Sequence, residues 1–290
     1  MANSPTGESV ISRVVRLMSA FDRDLPTMTL SGLARRAGLP LTTAHRLVDD
    51  LVLHGLIERL PDGNLRSGMR MWELAARGSR ALNLRELALP FMDDVQAAVH
   101  QHTTLAVLDH GTVLYVERLS SPKSSLDAAH IAQRMPIHAA SSGLVLLAFS
   151  PPDFQDEVLS HPLAAVTPET ITNPALIRKH LAEIRQRGFV ALPGIGVTEW
   201  TGIAVPVFGP DNTIAAALNA IVPRQEAAVP LTVPALLTAA HGISRALKSA
   251  AAPRRSHEPA QPGFRVESGR GLSHPMNGRP VGAEPGHSAL

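Results

Sequence analysis

The sequence predicts an α+β fold in two parts, and three observations carry that expectation. Helical periodicity fills residues 8–54, with a hairpin signal directly behind it. Short apolar strands then gather at 103–119 and 189–222 without regular strand–helix alternation. Amphipathic helical stretches surround them, so one sheet flanked by helices is expected. A chain of 290 residues has room for two domains.

Taken in order, ESVISRVVRLMSAFD (8–22) places Val10, Val14, Leu17, Met18 and Phe21 at helical spacing. TMTLSGLARRAG (27–38) predicts a short second helix, with Thr29 as N-cap, Leu30, Leu33 and Ala34 inward, and Gly38 as its stop. The third helix runs from about Leu41 to His54, entered after Pro40 and ended by Gly55. LIERLPDGNLRSG (56–68) reads as two short strands about Pro61-Asp62-Gly63-Asn64. Helices follow at 69–82 and 84–101, joined near Asn83. TTLAVLDHGTVLYVERL (103–119) is a second hairpin, turning at Asp109-His110-Gly111, and a further strand is expected at 124–130. MPIHAASSGLVLLAF (135–149) enters a helix, and another spans 174–188. Strands at 189–192, 201–209 and 213–222 precede a last helix at about 231–249. The final 40 residues hold 6 Pro and 6 Gly without periodicity, which predicts disorder.

Composition narrows the chemistry. Apolar residues make up 44% of the chain but aromatics only 3%, so the core must be aliphatic. There is no cysteine, which excludes disulfides, thiolate metal sites and a cysteine nucleophile. No leader-like segment and no long uncharged apolar run is present, and the chain is read as soluble and cytoplasmic. Residues 1–80 carry 11 Arg and no Lys against 8 acids, whereas 81–250 carry 11 bases against 14. A basic head on an acidic body points to an anionic partner at one end.

The head suggests what that partner is. Two short helices joined by a glycine turn, with small Ala34 four residues before Gly38, form a helix-turn-helix layout. In the third helix Ala44, Leu47, Val48 and Leu51 make the inward stripe. Thr42, Thr43, His45 and Arg46 are left outward in its opening turns, where a recognition helix meets the major groove. Threonine reaches a phosphate or a thymine methyl, and arginine forks onto guanine O6 and N7. Asp49 and Asp50 should lie where the helix leaves the groove. The bland alternative has the threonines capping the helix and Arg46 solvated. The hairpin behind it, with Asn64 and Arg66 at or near the tip, would act as a wing on the neighbouring backbone.

Segments along most of the chain resemble the IclR family of bacterial transcriptional regulators. GLPLTTAHRLVDDLVLHGLIER is similar to that family's recognition-helix region, and DGNLRSGMRMWELA to its wing and linker helix. The likeness continues through LRELALPFMDDV, AVLDHGTVLYVERL, MPIHAASSGLVLLAF, RQRGFVALPGIG and GIAVPVFGPDNTIAAALNAIVP, over roughly 8–250. The resemblance implies a winged helix-turn-helix domain at 1–68, a linker helix at 69–83 and a GAF-like effector domain at 84–250, ahead of the tail at 251–290. It also implies a homodimer, often paired again into a tetramer, on a double-stranded operator controlled by a small-molecule effector.

By the same resemblance, an effector cavity should lie between the helix entered at HAASSG and the sheet. Ala140, Ser141, Ser142 and Gly143 would form one wall, where a helix N-terminus suits an anion. On the other wall, Leu192 stands where members commonly carry an acid and Gly202 where a cysteine is frequent. Asn219 and Ile221 replace two alternating serines and share one strand face. The expected ligand is larger or more apolar than a two- or three-carbon acid, with Asn219 giving one hydrogen bond; a cavity that has lost its ligand is the alternative. PGIGVTEW (193–200), with Trp200, is read as a lid or as simple packing.

Two other classes compete. His100, His102, His110, His130 and His138 raise a metal-dependent enzyme, but they are scattered and lack ligand spacing. No nucleophile elbow or phosphate-binding glycine loop is present. No metal, cofactor or catalytic residue is therefore expected, and the chain is read as a non-enzyme. A ligand-independent DNA-binding protein would not need a second α+β domain of this size.

Overall fold

The computed structural model of the chain describes residues 7–22, 24–120, 126, 129–226 and 228–251. The tail expected to be disordered lies outside these from residue 252 on, as does most of the strand expected at 124–130.

Three helices and a small sheet build the head. α1 (Val10–Met18) starts at Ser9, whose hydroxyl accepts from the Ser12 N–H. α2 (Leu30–Arg36) starts at Thr29 in the same manner, with Gly32 as donor, and Gly38 follows it with φ +62°. α3 (Leu41–Leu53) ends before Gly55, whose φ of +70° suits a residue without a side chain. Leu17, Leu33, Ala34, Ala44, Leu47, Val48 and Leu51 close the core. The sheet has three strands, β1 (Thr27–Met28), β2 (Ile57–Arg59) and β3 (Leu65–Ser67), with β3 central. The two-residue β1 gave no sequence signal, since a strand so short has no period to detect.

α4 (Met69–Ala76) and α5 (Arg80–Val99) are joined at Gly78-Ser79 rather than near Asn83. Ser79 caps α5, its Oγ accepting from Leu82 N at 3.3 Å, so Asn83 falls inside the helix.

The body is a six-stranded antiparallel sheet in the order β6-β5-β4-β9-β8-β7. Its strands are β4 (His102–Asp109), β5 (Thr112–Leu119), β6 (Arg134–Pro136), β7 (Val190–Pro193), β8 (Trp200–Phe208) and β9 (Ile214–Pro223). Alternate residues feed two cores. Leu105, Ile203, Val205, Leu218 and Ala220 pack toward α5 and α9 (Val229–Ala251). Ala106, Tyr115, Ala204, Ala217 and Ile221 pack toward α6 (Ser141–Ala148), α7 (Pro152–Ser160) and α8 (Pro174–Arg187).

The segment read as one helix from 135 is three pieces. Met135 and Pro136 end β6, Ile137–Ala139 form a 3-10 turn, and Ala140 is extended before α6 begins. Proline at 136 holds the residue before it extended, so a helix cannot start there. All eight residues of α6 are buried, and Gly143 lets it in. A Cβ on Gly143 would lie 2.0 Å from the Ile137 carbonyl oxygen and 2.9 Å from Val113 Cγ2. Glu117 of β5, almost fully buried, meets Arg85 of α5.

Gly143→Ala should lose about 1–3 kcal/mol through overpacking, read as a fall in melting midpoint of roughly 2–4 °C per kcal/mol. An unchanged midpoint would mean that α6 is free to shift. His102, buried on β4, is held neutral by burial first and by the charge of Arg118 second, its pKa lowered to about 4. The unfolded chain takes that proton near pH 6.5. Its contribution is complete above pH 6.5 and declines as pH falls toward 4. Melting curves of His102→Gln between pH 7.5 and 4 should show a shallower decline than wild type; parallel curves would remove His102 from the acid response.

Candidate nucleic-acid interface and ligand cavity

The opening turns of α3 present their polar residues outward. Thr42, His45 and Arg46 are exposed and Thr43 is half-buried, while Ala44, Leu47, Val48 and Leu51 all point into the core. No side chain caps α3, because Pro40 occupies the N-cap position. Both threonines are thereby left with hydroxyls not spent on capping, against the bland reading of them as caps. Thr42, His45 and Arg46 share one shallow surface depression with Leu41 and Asp49.

Asp49 belongs to that surface rather than lying beyond it. Its carboxylate sits 2.8 Å from His45 Nδ1 and also accepts from Arg59 of β2 at 3.3 Å. Arg46 lies 3.9 Å from Asp50. One helical turn separates each pair, the spacing at which side chains on a helix meet. The Arg59 contact ties the wing's first strand to α3, a cationic position that the sequence reading passed over. Strand alternation puts Arg59 on the same face as the buried Ile57, so the period alone does not mark it as a surface cation.

The wing tip is set by Asp62, whose carboxylate accepts from both the backbone N–H and the side-chain amide of Asn64. Those two bonds hold the Asp62 carboxyl below the usual carboxylate range. Arg66 is not at the tip. It lies in β3 opposite Glu58, with its Nε 2.9 Å from that carboxylate.

In the body, a cavity of about 220 Å³ opens between α6 and the sheet. Of the eight residues expected there, Ala140, Ser141, Gly202, Asn219 and Ile221 line it. Ser142 lies behind the wall against Tyr115, whose phenol burial pushes up and the Ser142 hydroxyl partly draws back. Gly143 is a packing residue, as its carbonyl clearance requires. Leu192 pairs with Gly202 across β7 and β8 but does not line the space.

The floor is a close approach. Ser141 Oγ donates to the Gly202 carbonyl at 2.9 Å, and a Cβ on Gly202 would stand 2.4 Å from that same oxygen. Beside it, Asn219 is 3% exposed and donates through Nδ2 to Thr104 Oγ1 at 3.3 Å. Its Oδ1 is buried without a hydrogen-bond partner. The rest of the lining is apolar or neutral, including Tyr115, Met135, Ile195, Val197 and Trp200, and no charged side chain among the described residues contributes.

The 193–200 segment closes one side. Thr167 Oγ1 donates to the Gly194 carbonyl at 2.7 Å, and Arg224 N to Glu199 O at 2.9 Å. Ile195, Gly196, Val197 and Trp200 all face the cavity, and Trp200 meets the His102 ring edge-on at 5.9 Å. Lid and packing are thus the same residues. Sequence reasoning missed Tyr115 and Met135, although the strand period of β5 places Tyr115 on the face shared with Val113.

The five histidines do not gather at one point among the described residues, although His102 and His130 border one cavity with Arg118. His100 and His110 occupy positive-φ positions beside turns, while His102 and His138 are buried. Among the described residues no three His, Cys, Asp or Glu side chains are grouped to hold a metal ion. Nor is any helix among them long and apolar enough to cross a membrane.

Known proteins share this architecture. The chain superposes on an IclR homologue from Microbacterium hydrocarbonoxydans, solved as a complex with 4-hydroxybenzoate, with a TM-score of 0.78. That pair is 48% identical over 83% of this chain and 100% of the other. The glycerol operon regulatory protein of Streptomyces griseus is 31% identical over 196 residues, 66% of this chain and 73% of its own length. The transcriptional regulator XynR of Escherichia coli is 24% identical over 211 residues, 72% and 84% of the two chains. The family model for the IclR helix-turn-helix domain matches residues 10–61, and that for the C-terminal domain of bacterial IclR regulators matches 78–245. A winged head, a GAF-like body and these matches together make the chain a member of the IclR family of bacterial transcriptional regulators.

Proposed function

We propose that this regulator acts as a cytoplasmic homodimer, without catalytic activity, that binds a two-fold operator and is controlled by a small aromatic effector. The observation that carries the DNA reading is the division of α3: every apolar residue expected inward is buried, while His45 and Arg46 stand exposed at its N-terminal end. Thr42, Thr43, His45 and Arg46 read base edges in the major groove, and Asn64 and Arg66 of the wing meet the flanking backbone. Arg59 joins them as a phosphate contact. On docking, the arginines exchange Asp50, Asp49 and Glu58 for phosphate or guanine.

Pairing of two copies is supported by apolar surface that one copy leaves uncovered. Ile11 and Val15 of α1 share a face one helical turn apart and are exposed, as are Met69, Trp72 and Leu74 of α4. A single winged head touches few bases, and two heads on a palindromic site double the contacts. A dimer of such dimers gives the tetramer that the family resemblance suggests.

The cavity suits one aromatic ring. Its size, its neutral lining and the 4-hydroxybenzoate bound by the Microbacterium relative all support an effector of that class. Glyoxylate and pyruvate would leave most of the apolar wall uncovered.

A gel shift on the DNA flanking the regulator's own coding sequence tests the DNA reading. Arg46→Ala should abolish the shift while the dimer persists on size exclusion; unchanged binding across a salt series would remove Arg46 from the interface. Trp72→Glu should convert dimer to monomer in light scattering and weaken operator binding at least tenfold. A Trp72→Glu chain that stays dimeric would place the pairing surface elsewhere.

A further inference from the structure

We infer that Asn219 is the residue that selects the effector, and that it does so by accepting a hydrogen bond from a hydroxyl on the ligand ring. The inference rests on the cavity being the effector site. It deepens that reading by naming which group of the ligand is recognised and by which atom.

Three observations lead there. Asn219 is 3% exposed, lines the cavity and commits its Nδ2 to Thr104, which leaves Oδ1 as a buried acceptor without a partner. A buried acceptor in that condition is unfavourable unless a donor arrives. Ser141 is the nearest polar neighbour around the bare Cα of Gly202, and its hydroxyl hydrogen is already given to the Gly202 carbonyl. Its oxygen therefore also faces its surroundings as an acceptor. The place a Gly202 Cβ would take is filled by Ser141 Oγ and lies 3.6 Å from Asn219 Oδ1, so the absent side chain lets both oxygens stand at one corner of the cavity. Two acceptors at one corner of the cavity call for a ligand atom that carries hydrogen.

The same corner disfavours a carboxylate. Among the described residues no cation lines the cavity, and an anion set against Asn219 Oδ1 and Ser141 Oγ would meet two lone pairs. A phenolic hydroxyl fits better, since it donates to Asn219 and remains neutral at physiological pH. The ring carbons behind it meet Ile221, Met135 and Trp200. A site built to pair a hydroxyl discriminates strongly against the analogue lacking it, because the protein's own acceptor is then left unpaired.

The experiment is calorimetric titration of the full-length protein with three probes: 4-hydroxybenzoate, 4-methylbenzoate and unsubstituted benzoate. The methyl probe keeps the size of the hydroxyl and removes its hydrogen bond. Wild type should bind the hydroxyl probe at least about tenfold more tightly than either other. Asn219→Leu, near in volume and apolar, should lose that preference and bind the methyl probe as well as or better than the hydroxyl one. Asn219→Ser keeps an oxygen with less disturbance and should retain part of the preference, which covers the case of a leucine variant that fails to fold. Equal affinity of wild type for the hydroxyl and methyl probes overturns the selection by Asn219 while leaving a benzoate-sized effector in place. Parallel loss of all three probes in both variants, with unchanged melting, would make Asn219 a wall residue only. Failure of wild type to bind any of the three overturns the aromatic effector reading itself, and this inference with it.

Discussion

Helix α6 is pressed to the sheet where neither side has room for another atom. Ser141 Oγ bonds the Gly202 carbonyl at 2.9 Å, and both Gly202 and Gly143 face neighbours that a methyl group would strike. That contact fixes the height of the helix N-terminus above β8 and β9, and so the shape of the cavity. It also explains why small residues gather along Ala139-Ala140-Ser141-Ser142-Gly143. In this setting Gly202 is a steric requirement of the helix, and its bare Cα lets Ser141 Oγ stand near Asn219 at the cavity wall. Buried on every side, α6 cannot move without disturbing Leu144 and Leu147 in the core between sheet and α8.

The head works under a different constraint. Its recognition face carries nearly balanced charge: His45 with Asp49, Arg46 with Asp50, Arg66 with Glu58. Exposed pairs of this kind contribute little, so exchanging them for phosphate is not opposed strongly. The carboxylates nevertheless remain beside the DNA and subtract from non-specific attraction. A weakly cationic head of this sort depends on correct base contacts and on two copies acting together, which favours specificity over bulk affinity.

Much of this was legible in the sequence, and the reasons differ by element. α3 was readable because its inward stripe and its polar lead obey one period, and because Gly38, Pro40 and Gly55 bracket it. The paired strands of the body were readable from apolar runs around turn residues such as His110, Gly111 and Asn212, at which φ becomes positive. What escaped was decided by tertiary contact or by single caps. Ser79 moved the α4–α5 junction, Pro136 split the entry to α6, and β1 exists only because β3 offers it an edge. The cavity was half legible. Residues on α6, β8 and β9 could be placed by period, whereas Leu192, paired with Gly202 but outside the cavity, could not be separated from them without coordinates. Arg66 illustrates the limit on side chains: its position in the hairpin was readable, its partner Glu58 was not.

The neutral lining has an energetic consequence for control. Burying one aromatic ring removes on the order of 150 Å² of apolar surface from water, a contribution of about 4 kcal/mol. Association gives up a comparable amount, roughly 4 kcal/mol or more, in translational and rotational freedom. Ring burial by itself therefore leaves little net affinity, and the few polar groups decide whether a ligand is held at useful concentration. With no cation among the described lining residues, discrimination falls to the amide and hydroxyls around Gly202. A regulator with such a cavity distinguishes related aromatic molecules by the hydrogen bonds they offer rather than by their charge.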